Sequence, residues 1–505
     1  MNKIAIIIFI NFIPFFANGQ SIDEPISQKT MKKDFEIFKQ ISKEANSGLY
    51  KYRTKQQIDS IYDWGNQQIE KLNSFRDYYN LICTISNFEG SVHNDVSLPK
   101  KYENNLRNET YGYFPYPVKW IEGKWIVNFN TKEIPKGAEI LAINNIEINN
   151  IIPKLYKYFT TDGNNITGKR IGLMKSFSKY YRLVFGLTEN FNISYVNPIS
   201  KQLETKNVKS VDYKTYIENF RRIHSMSIDQ FYYADLKENQ KYKYNLLDSV
   251  TGILTIHTFD MGNETTKEHL KYKQFLDSIF VDIKKNGLKN LIVDVRNNGG
   301  GTDPNDLITY SYLTNRNFQE NKEAWISFKK IPLIEYYDIG IPKFIRPLVV
   351  GKYNKQFQEE FPLEKDGKFY QDENSDDHKI RTPNQNAFNG NIYLLTSPKI
   401  ASAGSLFTAM LAGNDNTITI GEETMGCYYG HNGHTPLSYK LPKSKIVITF
   451  SVVNLEQDVP KKENQKYDRG IIPDYEINQT FDDFMNNSDT QMNFTIELIR
   501  NKYLH

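Results

Sequence analysis

From about residue 245 onwards, short apolar runs alternate with longer polar or helical stretches, and this alternation constrains the fold more than any other feature. The runs are GILTIHTF (252–259), NLIVDV (290–295), NIYLLTS (391–397), TITIGEE (417–423) and IVITFSVV (446–453). NLIVDV is almost continuously apolar, as expected of a strand that is buried on both faces of a sheet. Between the first two runs lies an apolar helical face that Gly287 can end, formed by Phe275, Leu276, Ile279 and Ile283. The pattern predicts an α/β core over residues 245–480 with some parallel strand pairing.

Residues 315–390 interrupt this core. They are polar and contain prolines and acidic groups such as DENSDD (372–377). Their pattern assigns no fold, and we treat them as an insertion.

The chain before the core divides into two further regions. Residues 25–105 show helical periodicity, with one apolar face formed by Phe35, Phe38 and Ile41 and a capping-box spacing between Thr54 and Gln57. Residues 110–205 contain strand-like runs between Gly, Asn and Pro signals, namely KWIVNF, AEILAINNIEI, RLVFGL and FNISYV. We therefore expect a helical N-terminal domain followed by a β domain.

The size and charge of the chain limit the classes of protein to which it can belong. A chain of 505 residues is too long for one compact domain, and its 39% hydrophobic residues can fill real cores. The net charge of +4 is spread along the chain without a long basic run. Nucleic-acid binding proteins carry clustered Lys and Arg, so we expect no nucleic-acid partner.

The first 19 residues, MNKIAIIIFINFIPFFANG, have the layout of a secretory signal peptide. Lys3 precedes an apolar run, and the small residues Ala17 and Gly19 follow it. The run of about a dozen residues is short for a membrane span of roughly 20, although an uncleaved anchor is the competing interpretation. No Cys follows the run, so a lipid-modified N-terminus is not indicated. We expect a chain that begins near Gln20, has no membrane span and works outside the cytoplasm, secreted or in the periplasm.

Cys83 and Cys427 are the only cysteines of the chain. Two cysteines make neither a disulfide framework nor a Cys-rich zinc site. Cys83, within YYNLICTISNF, is expected to be a small buried apolar residue.

The segment TSPKIASAGSLFTAML (396–411) indicates a strand end, a tight turn and the start of an apolar helix. A serine at this turn, Ser402, would lie near the free N–H groups of the first helical turn, which can stabilise an oxyanion. The alternative is that Ser402 only caps the helix, which is the commoner use of such a residue. Ser397 and Ser405 are expected to be turn and helix residues.

Two other stretches carry weaker signals. DVRNNGGGTDP (294–304) follows a buried strand, and its glycines either expose N–H groups to a ligand or form a flexible turn. It lacks the Lys-Ser/Thr ending of a phosphate loop. FEGSVHND (88–95) places His93 after a small-residue turn, where a single His is more often structural or exposed.

The order of the motifs is more specific than any one of them. LIVDVRNNGGG is followed about a hundred residues later by TSPKIASAGS, then by IGEETMG and DRGIIPD. This combination resembles the tail-specific or C-terminal processing family of serine peptidases. Residues 110–205, with GAEILAINNIEI, resemble a degenerate form of the family's PDZ-type domain. The resemblance implies a mixed α/β fold whose core is a ClpP/crotonase-like spiral of ββα units.

The resemblance also assigns roles to individual residues. Ser402 matches the nucleophile in the family's A-S-A turn, and the oxyanion hole would be formed by the amides of Ala403 and of one residue within Gly299–Gly301, with Gly300 as the choice. In the Ser–Lys branch of the family, a Lys follows the Ser by 25 residues, and here Cys427 stands at that position. A thiol does not readily replace a neutral amine as a base, so a Ser–Lys dyad is not expected.

The other branch resembles the tricorn core and takes its base from a His after the N-terminal helical region. His93 is at the matching position, with Val92 and Asn94 beside it in place of the family's small residue and Thr. Asp468, in DRGIIPD, is the candidate for the acid that orients this His. His431 and His434, in YYGHNGHTP, are candidates for substrate contact or surface exposure. Their spacing could suit a metal, but no Glu or Cys completes a set, so no metal is expected.

The resemblance thus implies a secreted serine endopeptidase that acts on peptide or protein substrates and needs no cofactor. The alternative function is that of a catalytically inactive relative that kept a peptide-binding groove. The sequence indicates no oligomeric state.

Overall fold

The computed structural model describes residues 21–224, 238–342 and 344–502. Over these residues the protein is a mixed α/β structure built on three sheets. The predicted signal peptide lies outside the described residues. None of the helices in the described ranges is both long enough and apolar enough to cross a membrane.

The N-terminal region is mainly helical, as predicted. Phe35, Phe38 and Ile41 are all buried, and Thr54 and Gln57 form the expected reciprocal capping box. Cys83 is buried and free, as is Cys427. The elements are α1 (Gln28–Ala45), α2 (Lys55–Ile69), α3 (Phe75–Glu89), β1 (Asp95–Ser97) and α4 (Lys100–Arg107).

The middle region contains an antiparallel sheet with strand order β2-β3-β4-β6-β7, and β5 pairs with β4. Its apolar residues form their own buried cluster with α5 and α6. The elements are β2 (Val118–Ile121), β3 (Lys124–Val127), β4 (Glu139–Ile143), β5 (Ile146–Glu147), α5 (Ile148–Leu155), α6 (Thr167–Phe185), β6 (Asn190–Val196), β7 (Leu203–Lys209), α7 (Tyr213–His224) and α8 (Glu238–Lys241).

One strand predicted in this region is wrong. Arg182–Phe185, the start of RLVFGL, is the last turn of α6, and Gly186 ends this helix with φ +84°. A short apolar run does not distinguish a strand from a helix end by periodicity alone. The neighbouring prediction at FNISYV is confirmed by β6.

The remaining chain forms a parallel sheet and an antiparallel sheet. The elements are β8 (Tyr242–Leu246), β9 (Thr251–Ile256), α9 (Lys267–Asn286), β10 (Asn290–Asp294), α10 (Asn305–Ser311), β11 (Asn321–Ile326), α11 (Arg346–Glu360), β12 (Leu363–Lys365), β13 (Lys368–Tyr370), β14 (Asn391–Thr396), α12 (Ala403–Ala412), β15 (Thr417–Gly421), β16 (Asn432–Lys440), β17 (Val447–Gln457), β18 (Tyr475–Glu476), α13 (Phe481–Asn486) and α14 (Thr490–Lys502).

The parallel sheet has strand order β18-β15-β14-β10-β9-β8, and only β8 runs antiparallel to its neighbour. Alternate residues of β10 face opposite layers: Leu291 and Val293 pack with α9, α10 and α12, while Ile292 packs in the cluster that includes α14. Both faces are therefore covered, which explains the continuous apolar run of NLIVDV. Gly287 ends α9 in the left-handed conformation, as predicted.

The antiparallel sheet joins distant parts of the chain. Its order is β1-β17-β11-β13-β12, with β16 also paired to β17. The stretch 315–390, which the sequence left unassigned, supplies β11, β12 and β13 to this sheet. Because β1 begins two residues after His93 and pairs with β17, the sheet attaches the N-terminal helical region to the core.

Candidate active site

Ser402 lies in the turn between β14 and α12. Its backbone has φ +53° and ψ −136°, a conformation that non-glycine residues rarely adopt and that costs about 1–3 kcal/mol. Although Ser402 occupies the N-cap position, its side chain makes no capping hydrogen bond. The interpretation of Ser402 as a helix cap therefore lacks the contact that defines a cap.

The first turn of α12 offers free donors beside Ser402. The amides of Ser405 and Leu406 bond to the carbonyls of Ala401 and Ser402. Within the described chain, the amides of Ala403 and Gly404 have no acceptor. A helix N-terminus with free amides favours negative charge, so this turn suits an oxyanion.

The glycine loop after β10 lies directly against this turn because β10 and β14 are parallel neighbours. Gly300 has φ +111°, and a Cβ placed on it would lie 2.8 Å from the Ser402 Cβ and 3.1 Å from the Ala403 nitrogen. Only a residue without a side chain fits this close approach.

The amides of the glycine loop differ in whether they already donate a hydrogen bond. The Gly300 N–H donates to Oδ1 of Asn298 at 3.0 Å, and the Gly300 carbonyl accepts from the Phe259 amide at 2.9 Å. The amides of Gly299 and Gly301 have no acceptor among the described residues. The amide chosen from the resemblance, that of Gly300, thus already has a partner in this structure.

His93 lies in a turn between α3 and β1. Gly90 ends α3 in the left-handed conformation, with φ +76°, and the Asn94 amide bonds to the Ser91 carbonyl at 3.1 Å. The Thr160 hydroxyl donates to the Asn94 carbonyl at 2.5 Å. The turn is thus held by the segment that precedes α6.

A buried carboxylate, Asp162, supports the same turn. Its Oδ1 accepts the Val92 amide at 2.8 Å and its Oδ2 accepts the Cys427 amide at 3.2 Å. Asp162 is fully buried, and burial raises its pKa to about 7 although the two amides lower it. The sequence TTDGNN around it resembles an ordinary polar turn, so sequence analysis had no signal for this role.

His93, Ser402 and the three glycines Gly299–Gly301 line one cavity of about 720 Å³. The structure therefore brings together the two side chains and the loop that sequence analysis selected. No hydrogen bond joins the His93 ring to Ser402 within the described contacts, and the His93 Nδ1 is buried without a partner. A resting site often has such loose contacts, which shorten when substrate binds.

Burial sets the protonation state of His93. It lowers the pKa of His93 to about 4, and the nearby Asn432 backbone acts against this effect. At neutral pH the imidazole is therefore uncharged, as a general base must be. The ring lies beside that of His431, with 5.3 Å between their centroids.

Cys427, at the position of the dyad Lys, is fully buried and does not line the cavity. Burial, followed by the nearby Asp162 carboxylate, raises the pKa of its thiol well above the usual value. The thiol is therefore protonated at neutral pH and is no base.

Asp468 does not reach His93. Its carboxylate accepts a hydrogen bond from the Asn164 side chain, and it does not line the cavity. Arg53 donates to the same Asn164 side chain at 3.0 Å, so Asp468 belongs to a surface network at the base of the 163–165 turn. In the described chain, no carboxylate is bonded to the His93 ring.

His431 and His434 do not line the cavity either. His431 is 1% exposed and contacts His93 from the protein interior, so it is not placed to touch substrate. His434 points to a different group, with its Nε2 3.9 Å from Oε1 of Glu320.

The sequence did not single out the basic groups of the cavity, of which Lys399 is close to Ser402 in the chain. Lys399 lies three residues before Ser402 and donates from Nζ to Oδ1 of Asn297 at 3.1 Å. Burial lowers the pKa of Lys399 to about 8. The signal was present, since Lys399 belongs to the same TSPKIASAGS stretch as the serine.

Residues 250–477 match the model of peptidase family S41. The match begins just before β9 and ends just after β18, so it includes the glycine loop and Ser402 but not His93.

Two solved structures share the fold of most of the chain. Mature CPAF complexed with lactacystin is 13% identical, with a TM-score of 0.58, 94% of this chain covered and 99% of that chain. A serine-to-alanine mutant of CPAF is also 13% identical, with a TM-score of 0.59, 91% of this chain covered and 94% of that chain. At this identity the likeness shows a common fold. No curated protein sequence matches the chain significantly.

The close approach at Gly300 allows a direct test of the candidate active site. In Gly300→Ala the new Cβ must displace Ser402 or the Ala403 amide, and the φ of +111° is unfavourable for alanine. We expect the rate at which a fluorophosphonate labels Ser402 to fall by about 100-fold or more, the effect of losing one oxyanion donor.

The matched control is Gly351→Ala in α11, where a Cβ meets open space and the helix gains a better former. Its labelling rate should equal that of the unchanged protein. A folded Gly300→Ala protein that is labelled at the original rate would show that the loop is not part of the reacting site.

Proposed function

We propose that this protein is a serine endopeptidase that cleaves peptide bonds through an acyl-enzyme on Ser402, with His93 as the general base. One observation carries the proposal. The Ser402 hydroxyl, in a strained turn and free of any capping bond, shares its cavity with a neutral His93 and the glycine loop. The S41-type sequence of residues 250–477 supports the same reaction class.

The proposed reaction is acyl transfer. His93 takes the Ser402 proton as the Oγ attacks the peptide carbonyl, and the proton then passes to the leaving amine. The Ala403 amide and one glycine-loop amide hold the oxyanion. The Gly299 and Gly301 amides are free in the described chain, whereas the Gly300 amide must first leave Asn298. Water then releases the acyl group, and this chemistry needs no cofactor.

The His-base branch of the family fits this site better than the Ser–Lys branch. Cys427 is buried away from the cavity, while His93 lines it. The orienting role expected of Asp468 falls in our proposal to Asp162, which acts as a positioning residue. It holds the Val92 amide, one residue from His93, and so fixes the backbone from which the imidazole projects.

We further propose that the protein works outside the cytoplasm, secreted or periplasmic, because residues 1–19 have the layout of a cleaved signal peptide. The intact mass of the exported chain tests this: a start near Gln20 is expected, and an uncleaved start at Met1 would contradict it.

The nucleophile is tested by covalent labelling. Incubation with a fluorophosphonate should label the protein, and Ser402→Ala should abolish labelling because the reacting oxygen is gone. His93→Ala should slow labelling by at least about 100-fold, the range for loss of a general base. The labelled peptide is identified by mass spectrometry.

Two variants in the same cavity serve as controls. Ser86→Ala and His257→Ala change lining residues to which we assign no chemical role, so labelling should persist in both. If His93→Ala reacts as fast as the unchanged protein, His93 is not the base.

The pH dependence of labelling distinguishes His93 from Lys399. A base works only when deprotonated, so the rate falls as the pH drops through its pKa. With the His93 pKa lowered to about 4, the rate should stay level from pH 8 down to about pH 5 and halve near pH 4. Lys399 as the base would give a rate that is already halved near pH 8 and continues to fall below it, since burial lowers the pKa of Lys399 to about 8.

These rates are measured only at pH values where near-ultraviolet circular dichroism shows an unchanged fold. A rate that halves near pH 8 and is lost in Lys399→Gln would replace His93 by Lys399 in the mechanism.

The second candidate function is peptide binding without catalysis. It is favoured by two observations. Among the residues that the structure describes, no hydrogen bond joins His93 to Ser402, and the Gly300 amide already donates to Asn298. Under this alternative the well-folded unchanged protein shows no labelling at all.

A further inference from the structure

Three carboxylates converge outside the Ser402 cavity. Asp303 follows the glycine loop, Asp306 lies in α10, and Glu320 immediately precedes β11. One carboxylate oxygen from each lies within 4.8 Å of the other two. Asp306 and Glu320 are both 0% exposed.

The two buried carboxylates lack partners. Both oxygens of Asp306 and both oxygens of Glu320 are buried, and none accepts a hydrogen bond within the described chain. The amides of Asp306 and Leu307 face the Asp306 carboxylate without reaching hydrogen-bond geometry. Buried ionised groups require pairing or a metal ion, so this arrangement calls for either protons or a cation.

A nitrogen donor, His434, lies beside Glu320 but outside the group of three carboxylates whose oxygens are all within 4.8 Å of one another. The Nε2 of His434 is 3.9 Å from Oε1 of Glu320, and its side chain is 22% exposed. Two ligand atoms that each lie about 2.1 Å from one ion are about 3–4 Å apart, so this distance suits a shared ion.

The charged groups around the cluster are mainly acidic, which favours a bound cation. Asp377 and Glu360 add negative charge near Glu320 and His434, and Arg381 is the positive group that opposes it. The Arg381 side chain donates to the carbonyls of Asp376 and Lys379 and has no ion pair with the three carboxylates.

We propose that Asp303, Asp306 and Glu320 bind one divalent cation and that the imidazole of His434 turns towards it as a fourth ligand. Three carboxylate oxygens and one imidazole nitrogen suit Zn²⁺ or Mn²⁺ better than Ca²⁺, which takes oxygen ligands. The sequence did not indicate this cation site, because His431 and His434 have no acidic partner close to them along the chain. The fold supplies the partners from positions more than a hundred residues away.

The location of the site suggests its effect. Asp303 is two residues from Gly301, and His434 is three residues from His431, whose ring contacts His93. A bound cation would therefore hold the glycine loop and the His93 side of the cavity in a fixed relation. This consequence rests on the proposed peptidase function, whereas cation binding itself does not.

The test is metal binding to the purified full chain without a histidine tag. After treatment with a chelator and dialysis, ZnCl₂, MnCl₂ and CaCl₂ are titrated separately at pH 7.5 by isothermal calorimetry. We expect Zn²⁺ or Mn²⁺ to bind with one equivalent and to raise the melting temperature by more than about 2 °C, since an ion that binds only the folded state stabilises it.

Glu320→Gln should weaken this binding by at least about 100-fold, since it removes a ligand and not merely a supporting contact. The metal-free variant should melt no lower than the metal-free unchanged protein, because it removes a buried charge. Glu373→Gln, an exposed acid in the same stretch of chain, is the control and should bind the cation as the unchanged protein does.

No binding of any of the three ions, or equal binding by Glu320→Gln, would overturn the proposal. His434→Ala separates the ligands: Zn²⁺ binding that is unaffected by this change would contradict the four-residue site. Because labelling of Ser402 is not a readout, failure of the peptidase proposal would leave this result unchanged.

Discussion

The Asp162 carboxylate joins two segments that are far apart in sequence. It accepts the amide of Val92 from the turn after α3 and the amide of Cys427 from the loop after β15. Because it is fully buried, these hydrogen bonds are protected from competition with water. The position of His93 relative to the core depends on this bridge, reinforced by Thr160 and by the pairing of β1 with β17.

The other half of the site is built by parallel strand pairing. β10 and β14 are neighbours, so the loops at their carboxyl ends, which carry the three glycines and Ser402, meet at one edge of the sheet. The close contact of Gly300 with Ser402 and Ala403 then leaves no space for a side chain. The strain at Ser402 is sustained by α12, whose residues are all buried.

Local features of this fold could be predicted from local sequence. The capping box at Thr54, the end of α9 at Gly287 and the buried strand NLIVDV each follow from residues a few positions apart. The strand predicted at RLVFGL was wrong because a run of six residues does not reveal that its first residues end a helix of 19 residues. The insertion gave no signal because β12 and β13 have only three residues each, and β11 is paired with β17, more than a hundred residues away in the sequence.

In the candidate active site, too, some residues could be predicted from local sequence and others could not. Ser402 and the glycine loop have local signatures, whereas the meeting of His93 with Ser402 was available only from resemblance to a family. Asp162, the contact of His431 with His93, and the pairing of His434 with Glu320 join residues from different regions of the chain. Their residue types are common in surface loops, so without the fold no pattern distinguishes them.

The most direct measurement is a crystal structure of the protein after reaction with a fluorophosphonate. We expect phosphorus bonded to Ser402 Oγ, a phosphoryl oxygen about 3 Å from the Ala403 amide, and a His93 ring nitrogen within about 3.2 Å of Ser402 Oγ. An adduct on another residue, or an adduct on Ser402 with the His93 ring still directed away from it, would contradict the account.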